Sequence, residues 1–149
     1  MKPFNMFLGL ALLVPLLSAQ QNRTTPPATS SFYTIPLASA QKENPVKSTP
    51  ESLARGKKQY GYDCVMCHGK GGNGKGDVAA DMKLKMHDES DPAALKALTD
   101  GALFYIIKNG KDQMPPEGDR VKPEEIWDMV NYIRSLAKNR APAEEKAPN

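Results

Sequence analysis

The sequence predicts a single small all-α domain. Four segments carry apolar residues at the spacing that places them on one face of a helix, and each has residues that favour helix ends. No segment shows a convincing alternation of apolar and polar residues, which a half-buried strand would require. With 149 residues, part of them in low-complexity flanks, the chain has room for one domain of about four helices.

The first helix is predicted to begin at Pro50 and to end near Tyr62. Ser48 or Thr49 can cap its free N–H groups, and proline is favoured in the first turn of a helix. Its inward face carries three residues at helical spacing: Leu53, Gly56 and Tyr60. Because glycine has no side chain, we expect another helix to approach closely at Gly56.

Two further helices are predicted in the middle of the chain. A short one starts at Asp91-Pro92 and runs to Leu98, because aspartate caps helices and proline suits their first turn. The next follows Thr99 or Asp100 and carries an apolar face. Gly110 supplies a C-terminal cap for it.

The last helix is predicted from Pro123 to about Lys138. Lys122 is a poor N-cap, so the sequence defines the start of this helix less sharply than its apolar stripe. The stripe consists of Ile126, Trp127, Val130, Ile133, Leu136 and Ala137.

Residues 1–19 have the pattern of an export signal. A basic residue precedes an apolar stretch over residues 6–17, and small residues follow near a possible cleavage point. The stretch is short for a membrane span, which needs about twenty apolar residues. An uncleaved N-terminal anchor is the alternative interpretation.

The rest of the chain divides by composition into three parts. Residues 20–49 are rich in Pro, Ser and Thr and predict a linker, while residues 50–139 form the folded domain. Residues 140–149 predict a disordered tail. Within the linker, one apolar patch is expected to be mobile or to lie against the domain: Phe32, Tyr33, Ile35 and Leu37.

The charge of the chain argues against nucleic-acid binding. The formal net charge is +3, but residues 50–139 contain equal numbers of basic and acidic side chains. Binding to nucleic acid needs a basic face on the domain itself, and no such run is present.

Residues 64–68, Cys-Val-Met-Cys-His, have the pattern for covalent attachment of a haem. In one helical turn Cys64, Cys67 and His68 share a face, so two thiols can bond to one porphyrin while the imidazole binds its iron. The sequence therefore predicts one haem c, held through two thioethers, with His68 as an axial ligand. Covalent attachment would keep the cofactor on a domain too small to enclose it otherwise.

Two other kinds of site share part of this pattern. A dithiol redox pair also reads Cys-x-x-Cys, but it expects a βαβ context that the helical pattern lacks. A zinc site needs four ligands, and beyond the motif the chain offers only His87. Both interpretations remain minor alternatives.

Met114 is the best candidate for the sixth iron ligand. It follows the third helix, and the two prolines after it, Pro115 and Pro116, stiffen the loop. Competing ligands come from a stretch without such anchoring: Met82, Met86 and His87. Met66 lies within the motif but faces away from the porphyrin side, so it is excluded.

Residues 69–76 contain G-x-G-x-x-G and come close to a phosphate-binding loop. Gly76 stands where that loop needs Ser or Thr, no strand precedes the segment, and no helix clearly follows it. The simpler interpretation is that the glycines let the backbone turn sharply beside the porphyrin.

With these motifs, the chain resembles the class I c-type cytochromes over residues 50–139. The residues that carry the resemblance are Gly56, Tyr60, Cys64 to His68, Asp100 to Phe104, Met114-Pro115, Trp127, Tyr132 to Arg134 and Leu136. The resemblance implies a small cytochrome c fold wrapped around one haem, with Gly56 and Tyr60 meeting the Tyr132 region. It also implies His68 and Met114 as axial ligands. Many members have a proline after the motif whose carbonyl orients the histidine; here that acceptor is unassigned.

These observations together predict an electron carrier rather than an enzyme. Ligation by His68 and Met114 leaves the iron no open position for substrates, and a thioether favours Fe(II). We expect a periplasmic protein that shuttles electrons from a quinol-oxidising complex to a terminal oxidase or reductase. An uncleaved N-terminal segment would tether it to the membrane. Docking would use an apolar rim with Lys70, Lys75 and Lys111. A haem subunit fixed in a larger respiratory or dehydrogenase complex is the alternative.

Overall fold

The structure, a computed structural model, describes residues 33–138. Within this range the chain forms helices and no β-strand, which confirms the predicted all-α class. The helices are α1 (Leu37–Ala40), α2 (Pro50–Asp63), α3 (Val65–His68), α4 (Asp77–Asp81), α5 (Pro92–Lys96), α6 (Asp100–Asn109) and α7 (Pro123–Lys138).

The ends of α2 and α6 are fixed by the caps that the sequence predicts. The Thr49 hydroxyl accepts the N–H of Ser52 at 3.3 Å, and the Thr99 hydroxyl accepts the N–H of Ala102 at 3.1 Å. Gly110 ends α6 with a φ of 76°, a conformation that glycine adopts without strain.

Helix α7 begins at Pro123 although Lys122 has no capping side chain of the usual kind. Instead, the backbone N–H of Lys122 donates to the Glu125 carboxylate at 3.1 Å. Glu125 occupies the third position of the helix, so it supplies half of a capping box and satisfies a donor at the helix start.

The close contact between α2 and α7 lies at Gly56. A Cβ atom at this position would come within 2.1 Å of the carbonyl oxygen of Asp128 and 2.9 Å of the Tyr132 Cβ. One turn further along α2, the rings of Tyr60 and Tyr132 meet edge to face with centroids 5.3 Å apart. The contact implied by the family resemblance is therefore present.

The core lies between α7 and the helices α2, α5 and α6. In its centre the rings of Phe104 and Trp127 stack with centroids 4.2 Å apart. Most of its other buried members come from α6 and α7: Leu103, Ile107, Ile126, Met129, Val130, Tyr132, Ile133 and Ala137. Tyr60 of α2 and Leu95 of α5 complete the core.

Two polar side chains of α7 are buried and satisfied. Asp128 is 2% exposed and accepts two hydrogen bonds from the Arg55 guanidinium, at 2.7 and 2.9 Å. Asn131 donates to the Ser52 hydroxyl at 2.9 Å and to the Val46 carbonyl at 3.0 Å. A buried polar group costs little when hydrogen-bonded in this way, and its geometry fixes where α2 crosses α7.

Residues 33–49, which the sequence assigns to a linker, pack against the domain. The Tyr33 hydroxyl donates to the Gly110 carbonyl at 2.8 Å, and the Asn44 amide donates to Asn131 Oδ1 at 2.9 Å. The backbone of α1 lies over Gly101 of α6, where a Cβ would meet the Ser39 carbonyl oxygen at 2.3 Å. The linker interpretation is therefore wrong for residues 33–49, which we call the strap. Of the two outcomes expected for the apolar patch, contact with the domain is the one seen at Tyr33, whose ring centroid lies 6.3 Å from that of Tyr105.

The helices of residues 33–138 include none with the length and apolar character needed to cross a membrane. The predicted export signal, the first part of the linker and the predicted tail lie outside the described residues.

Substitution of Gly56 by alanine should destabilise the holoprotein. The new methyl group would collide with backbone atoms of α7, and such overpacking costs about 1–3 kcal/mol. The measurement is denaturant unfolding followed by circular dichroism.

Gly61→Ala is the matched control, because Gly61 lies on the same helix and its Cβ would meet no atom within 4 Å. It should be neutral or stabilising by up to about 1 kcal/mol. Equal unfolding midpoints for the two variants would show that the close contact at Gly56 is not a constraint.

Candidate haem-attachment site

The motif consists of Cys64, which caps the end of α2, and the four residues of α3. Cys64 ends α2, with its N–H donating to the Tyr60 carbonyl at 3.1 Å. The Cys64 carbonyl then accepts the N–H of Cys67 at 3.2 Å and that of His68 at 2.8 Å. The structure therefore brings both thiols and the imidazole into a single helical turn.

The thiols are free and half-buried. Burial, and then the nearby Glu117 and Glu89, raise the pKa of the Cys64 thiol to about 12. Dithiol oxidoreductases need the opposite, a thiol whose pKa is lowered so that it reacts as the thiolate. The surroundings of Cys64 therefore disfavour the redox-pair interpretation.

The zinc interpretation finds no support in the geometry either. Across residues 33–138, which include His87 and the whole motif, no three His, Cys, Asp or Glu side chains converge to hold a metal ion.

The glycine-rich loop folds back onto the motif. The N–H of Gly74 donates to the His68 carbonyl at 2.9 Å, and the N–H of Gly76 donates to the Cys67 carbonyl at 3.1 Å. At Gly76 a Cβ would lie 2.1 Å from the Met66 carbonyl oxygen, so only glycine allows this approach. The short helix α4 does follow the loop, but α3 rather than a strand precedes it, which excludes both nucleotide-binding patterns.

His68 is enclosed by Tyr60 and Glu89. The rings of Tyr60 and His68 have centroids 6.3 Å apart, and the imidazole Nδ1 lies 3.0 Å from Glu89 Oε1. The two atoms are close enough for an ion pair, but the ring N–H does not point at the oxygen, so Nδ1 is buried without a hydrogen bond. Sequence reasoning did not single out Glu89, because Glu89 lies in a polar loop with no motif of its own.

Tyr60 links α2 to the glycine-rich loop and to Glu89. Its hydroxyl lies within hydrogen-bond distance of two acceptors, the Gly69 carbonyl at 3.1 Å and Glu89 Oε2 at 3.2 Å, and shares its single proton between them. Burial, with the nearby Glu89 carboxylate, raises the pKa of this hydroxyl, so Tyr60 stays neutral in the folded protein.

Met114 lies in a tight loop after α6. The backbones of Lys111 and Met114 exchange two hydrogen bonds, at 3.0 and 2.8 Å. A Cβ at Gly110 would come within 2.5 Å of the Met114 carbonyl oxygen, so the glycine lets the loop close directly on the helix end. The Met114 side chain is half-buried and packs against the core, as do Cys64 and Val65.

Most of the competing ligands have exposed side chains. Met82 is 58% exposed and Met66 is 48% exposed, while the His87 side chain is also exposed. Met86 is half-buried, and its Cβ would contact a side chain at Gly74.

The residues present fit a covalently bound haem. The turn offers two thiols and an imidazole, and a separate loop offers a thioether, which are donors suited to iron and to the porphyrin edge. With Nδ1 of His68 beside Glu89, the other ring nitrogen is the one available to a metal. An all-α domain with this donor set has the features of a c-type cytochrome.

Comparison with protein families agrees with this class. A family described as "Cytochrome C oxidase, cbb3-type, subunit III" matches residues 51–133, more than half of the chain. The chain belongs to this family, and with it to the class I c-type cytochromes. It therefore binds haem c covalently and transfers electrons through it.

Individual relatives are similar over the same region. Cytochrome c6 of Cladophora glomerata is 37% identical over 89 residues, which cover 60% of this chain and 93% of the relative. Cytochrome c6 of Pyropia tenera is 32% identical over 83 residues, covering 56% and 91%. Chloroplastic cytochrome c6 of Chlamydomonas reinhardtii is 32% identical over 94 residues, covering 60% and 57%.

A solved structure shares the fold. A chain of the reducing HAO-like protein complex of Kuenenia stuttgartiensis superposes with a TM-score of 0.53 at 23% identity. The match covers 62% of the present chain and 46% of the other, so this chain spans about half of that neighbour's length.

Tyr60→Phe should reduce the loss of stability at high pH. Because the pKa of Tyr60 is raised in the folded protein, the unfolded chain alone loses this proton near its ordinary value of about 10. The contribution of the protonated Tyr60 hydroxyl to the free energy of unfolding is thus complete below about pH 10 and is lost as the pH rises further. Urea unfolding of the holoprotein from about pH 9 to about pH 11 measures it.

At neutral pH the same variant should be less stable by about 1 kcal/mol, because the hydrogen bond that the hydroxyl shares between Gly69 and Glu89 is lost. Tyr62→Phe, on an exposed position of α2, is the control and should behave like the unmodified protein. Identical pH slopes for Tyr60→Phe and the unmodified protein would contradict this role.

Proposed function

We propose that this protein is an electron carrier whose single haem is attached at Cys64 and Cys67, with His68 and Met114 as the axial ligands. The observation that carries the proposal is the turn in which Cys64 accepts hydrogen bonds from both Cys67 and His68. This turn presents two thiols and one imidazole from a rigid part of the fold. When bound, the haem supplies a one-electron Fe(III)/Fe(II) couple.

The role of the two thiols is to hold the haem in the protein rather than to react with a substrate. A domain of this size buries a limited area and benefits from a large apolar group that is fixed in place. Cys64 and Val65 already pack against the core, so attachment there would extend the core to the porphyrin.

Met114 is proposed as the sixth ligand because its loop is closed and rigid. The paired hydrogen bonds to Lys111 and the contact with Gly110 leave the loop little freedom. A thioether held there favours Fe(II) and raises the reduction potential. If His68 and Met114 both bind the iron, no ligand position would be left open, which would favour electron transfer and disfavour activation of oxygen or peroxide.

The proposed location is the periplasm or another exported compartment. The support is the export pattern of residues 1–19. If that segment is not cleaved, it would tether the domain to the membrane.

Redox proteins are the proposed partners: a quinol-oxidising complex as donor, and a terminal oxidase or reductase of a respiratory chain as acceptor. Lys70 and Lys75 are exposed and free to contact such partners through their charge. Lys111 is engaged within the chain, 3.7 Å from the Asp112 carboxylate and 5.7 Å from the centre of the Tyr33 ring. It therefore contributes less to docking than the sequence indicates.

Met114→Ala should remove the weak far-red absorption that sulfur–iron ligation gives to the oxidised protein. The variant should keep its covalent haem, because the attachment residues are untouched, and its reduction potential should fall. Spectra of oxidised and reduced exported protein, with a potentiometric titration, measure both effects.

The control is Met82→Ala, which removes an exposed methionine. It should retain the far-red band and should not bind carbon monoxide, whereas reduced Met114→Ala should bind it readily. If the band disappears in Met82→Ala instead, Met114 is not the ligand. Rapid binding of carbon monoxide by the unmodified protein would favour a gas sensor or peroxidase.

A fixed subunit of a larger complex is the second candidate. The observation in its favour is the match to a family described as a subunit of cytochrome c oxidase. Purification from the native membrane and periplasmic fractions separates the two functions. A carrier should elute alone, whereas a subunit should elute with other chains in a constant ratio.

A further inference from the structure

The buried Nδ1 atom of His68 lies beside a buried carboxylate. Nδ1 has no hydrogen-bond partner among residues 33–138, although Glu89 Oε1 is 3.0 Å away. We propose that the Glu89 carboxylate accepts the Nδ1–H of His68 in the holoprotein and lowers the reduction potential by making the imidazole a stronger ligand. Glu89 is thus a positioning residue, and the inference rests on the proposed role of His68.

Each of the two carboxylate oxygens of Glu89 lies next to a different donor. Oε2 accepts the Tyr60 hydroxyl at 3.2 Å, which leaves Oε1 towards the imidazole. An ionised carboxylate only accepts hydrogen bonds, so its partner nitrogen must carry the proton. This arrangement fixes the tautomer of His68 and directs the other nitrogen to the metal.

The backbone holds Glu89 in place. Its N–H donates to the Gly72 carbonyl at 2.6 Å, and the residue is 9% exposed. Beside it, the N–H of Ser90 donates to the Asp88 carboxylate at 3.0 Å and shapes the turn. A Cβ at Gly72 would lie 3.2 Å from the Glu89 Cβ, so the glycine-rich loop makes the space that the carboxylate occupies.

Rotation of the imidazole or the carboxylate can align the N–H with Oε1, because the two atoms are already at hydrogen-bond distance. Hydrogen bonds to an ionised acceptor are stronger than those to a carbonyl. A carboxylate partner raises the basicity of a ligating imidazole and so stabilises Fe(III) relative to Fe(II).

The test is potentiometric titration of holoprotein carrying Glu89→Gln. This variant keeps the shape of the side chain and an acceptor for Tyr60, but it removes the negative charge. The potential should rise by about 59 mV, which corresponds to a change of about tenfold in the one-electron equilibrium constant. Glu89→Asp, which restores the charge, should return part of the shift.

Glu117→Gln is the matched control. Glu117 is a buried carboxylate, 5% exposed, that pairs with Arg120 at 2.7 and 2.9 Å rather than with the histidine. Its substitution removes one buried negative charge without touching the imidazole. A rise in potential as large as that of Glu89→Gln would overturn the proposal, because the effect would then be one of charge alone.

A second measurement does not depend on any variant. In nitrogen-labelled reduced holoprotein, NMR should show the His68 Nδ1–H as a downfield proton that exchanges slowly with solvent, and Glu89→Gln should shift it upfield. A proton that exchanges rapidly in the unmodified protein would overturn the proposal, even if Glu89→Gln failed to mature.

The same samples separate this inference from the proposed function. If the unmodified protein lacks the far-red band, the assignment of Met114 fails while the Nδ1–H signal still tests Glu89. If the band is present and Glu89→Gln changes neither the potential nor the proton, the role of Glu89 alone is wrong.

Discussion

The close approach of α2 and α7 at Gly56 is the constraint on which the rest of the structure depends. Because no side chain separates the helices there, Tyr60 can reach Tyr132 one turn later, and the end of α2 comes to lie against the core. The paired contact of Arg55 with buried Asp128 fixes the same crossing from the other side. The turn with Cys64 follows directly, so the position of the proposed attachment site is set by helix packing.

Much of the fold could be predicted because the longer helices have recognisable capping residues at their ends. Thr49, Thr99 and Gly110 act as caps in the structure for the reasons that made them recognisable in the sequence. Helices α1 and α4 are too short to show a period, and α4 was missed for this reason. For the strap of residues 33–49 the sequence left contact with the domain as one of two outcomes, since the single polar contacts that hold the strap give no signal in hydrophobic patterning.

The candidate site also has one part that the sequence predicts and one part that it does not. The three motif residues are neighbours in sequence, so local geometry brings them together, and the position of Met114 follows from the glycine and prolines around it. The contact between His68 and Glu89 could not be predicted in this way. Glu89 is held near the motif by its backbone hydrogen bond to Gly72 in the glycine-rich loop. Nothing in a polar loop distinguishes one carboxylate from the next until the chain is folded.

The strap has a practical meaning for recombinant work. The sequence pattern alone would suggest that a shortened gene can begin at the first long helix. The shortened protein would lack the hydrogen bonds of Tyr33 to the Gly110 carbonyl and of Asn44 to α7. It would also uncover Gly101, over which the backbone of α1 now lies. Cloning borders and fusion points for this protein therefore belong upstream of Tyr33.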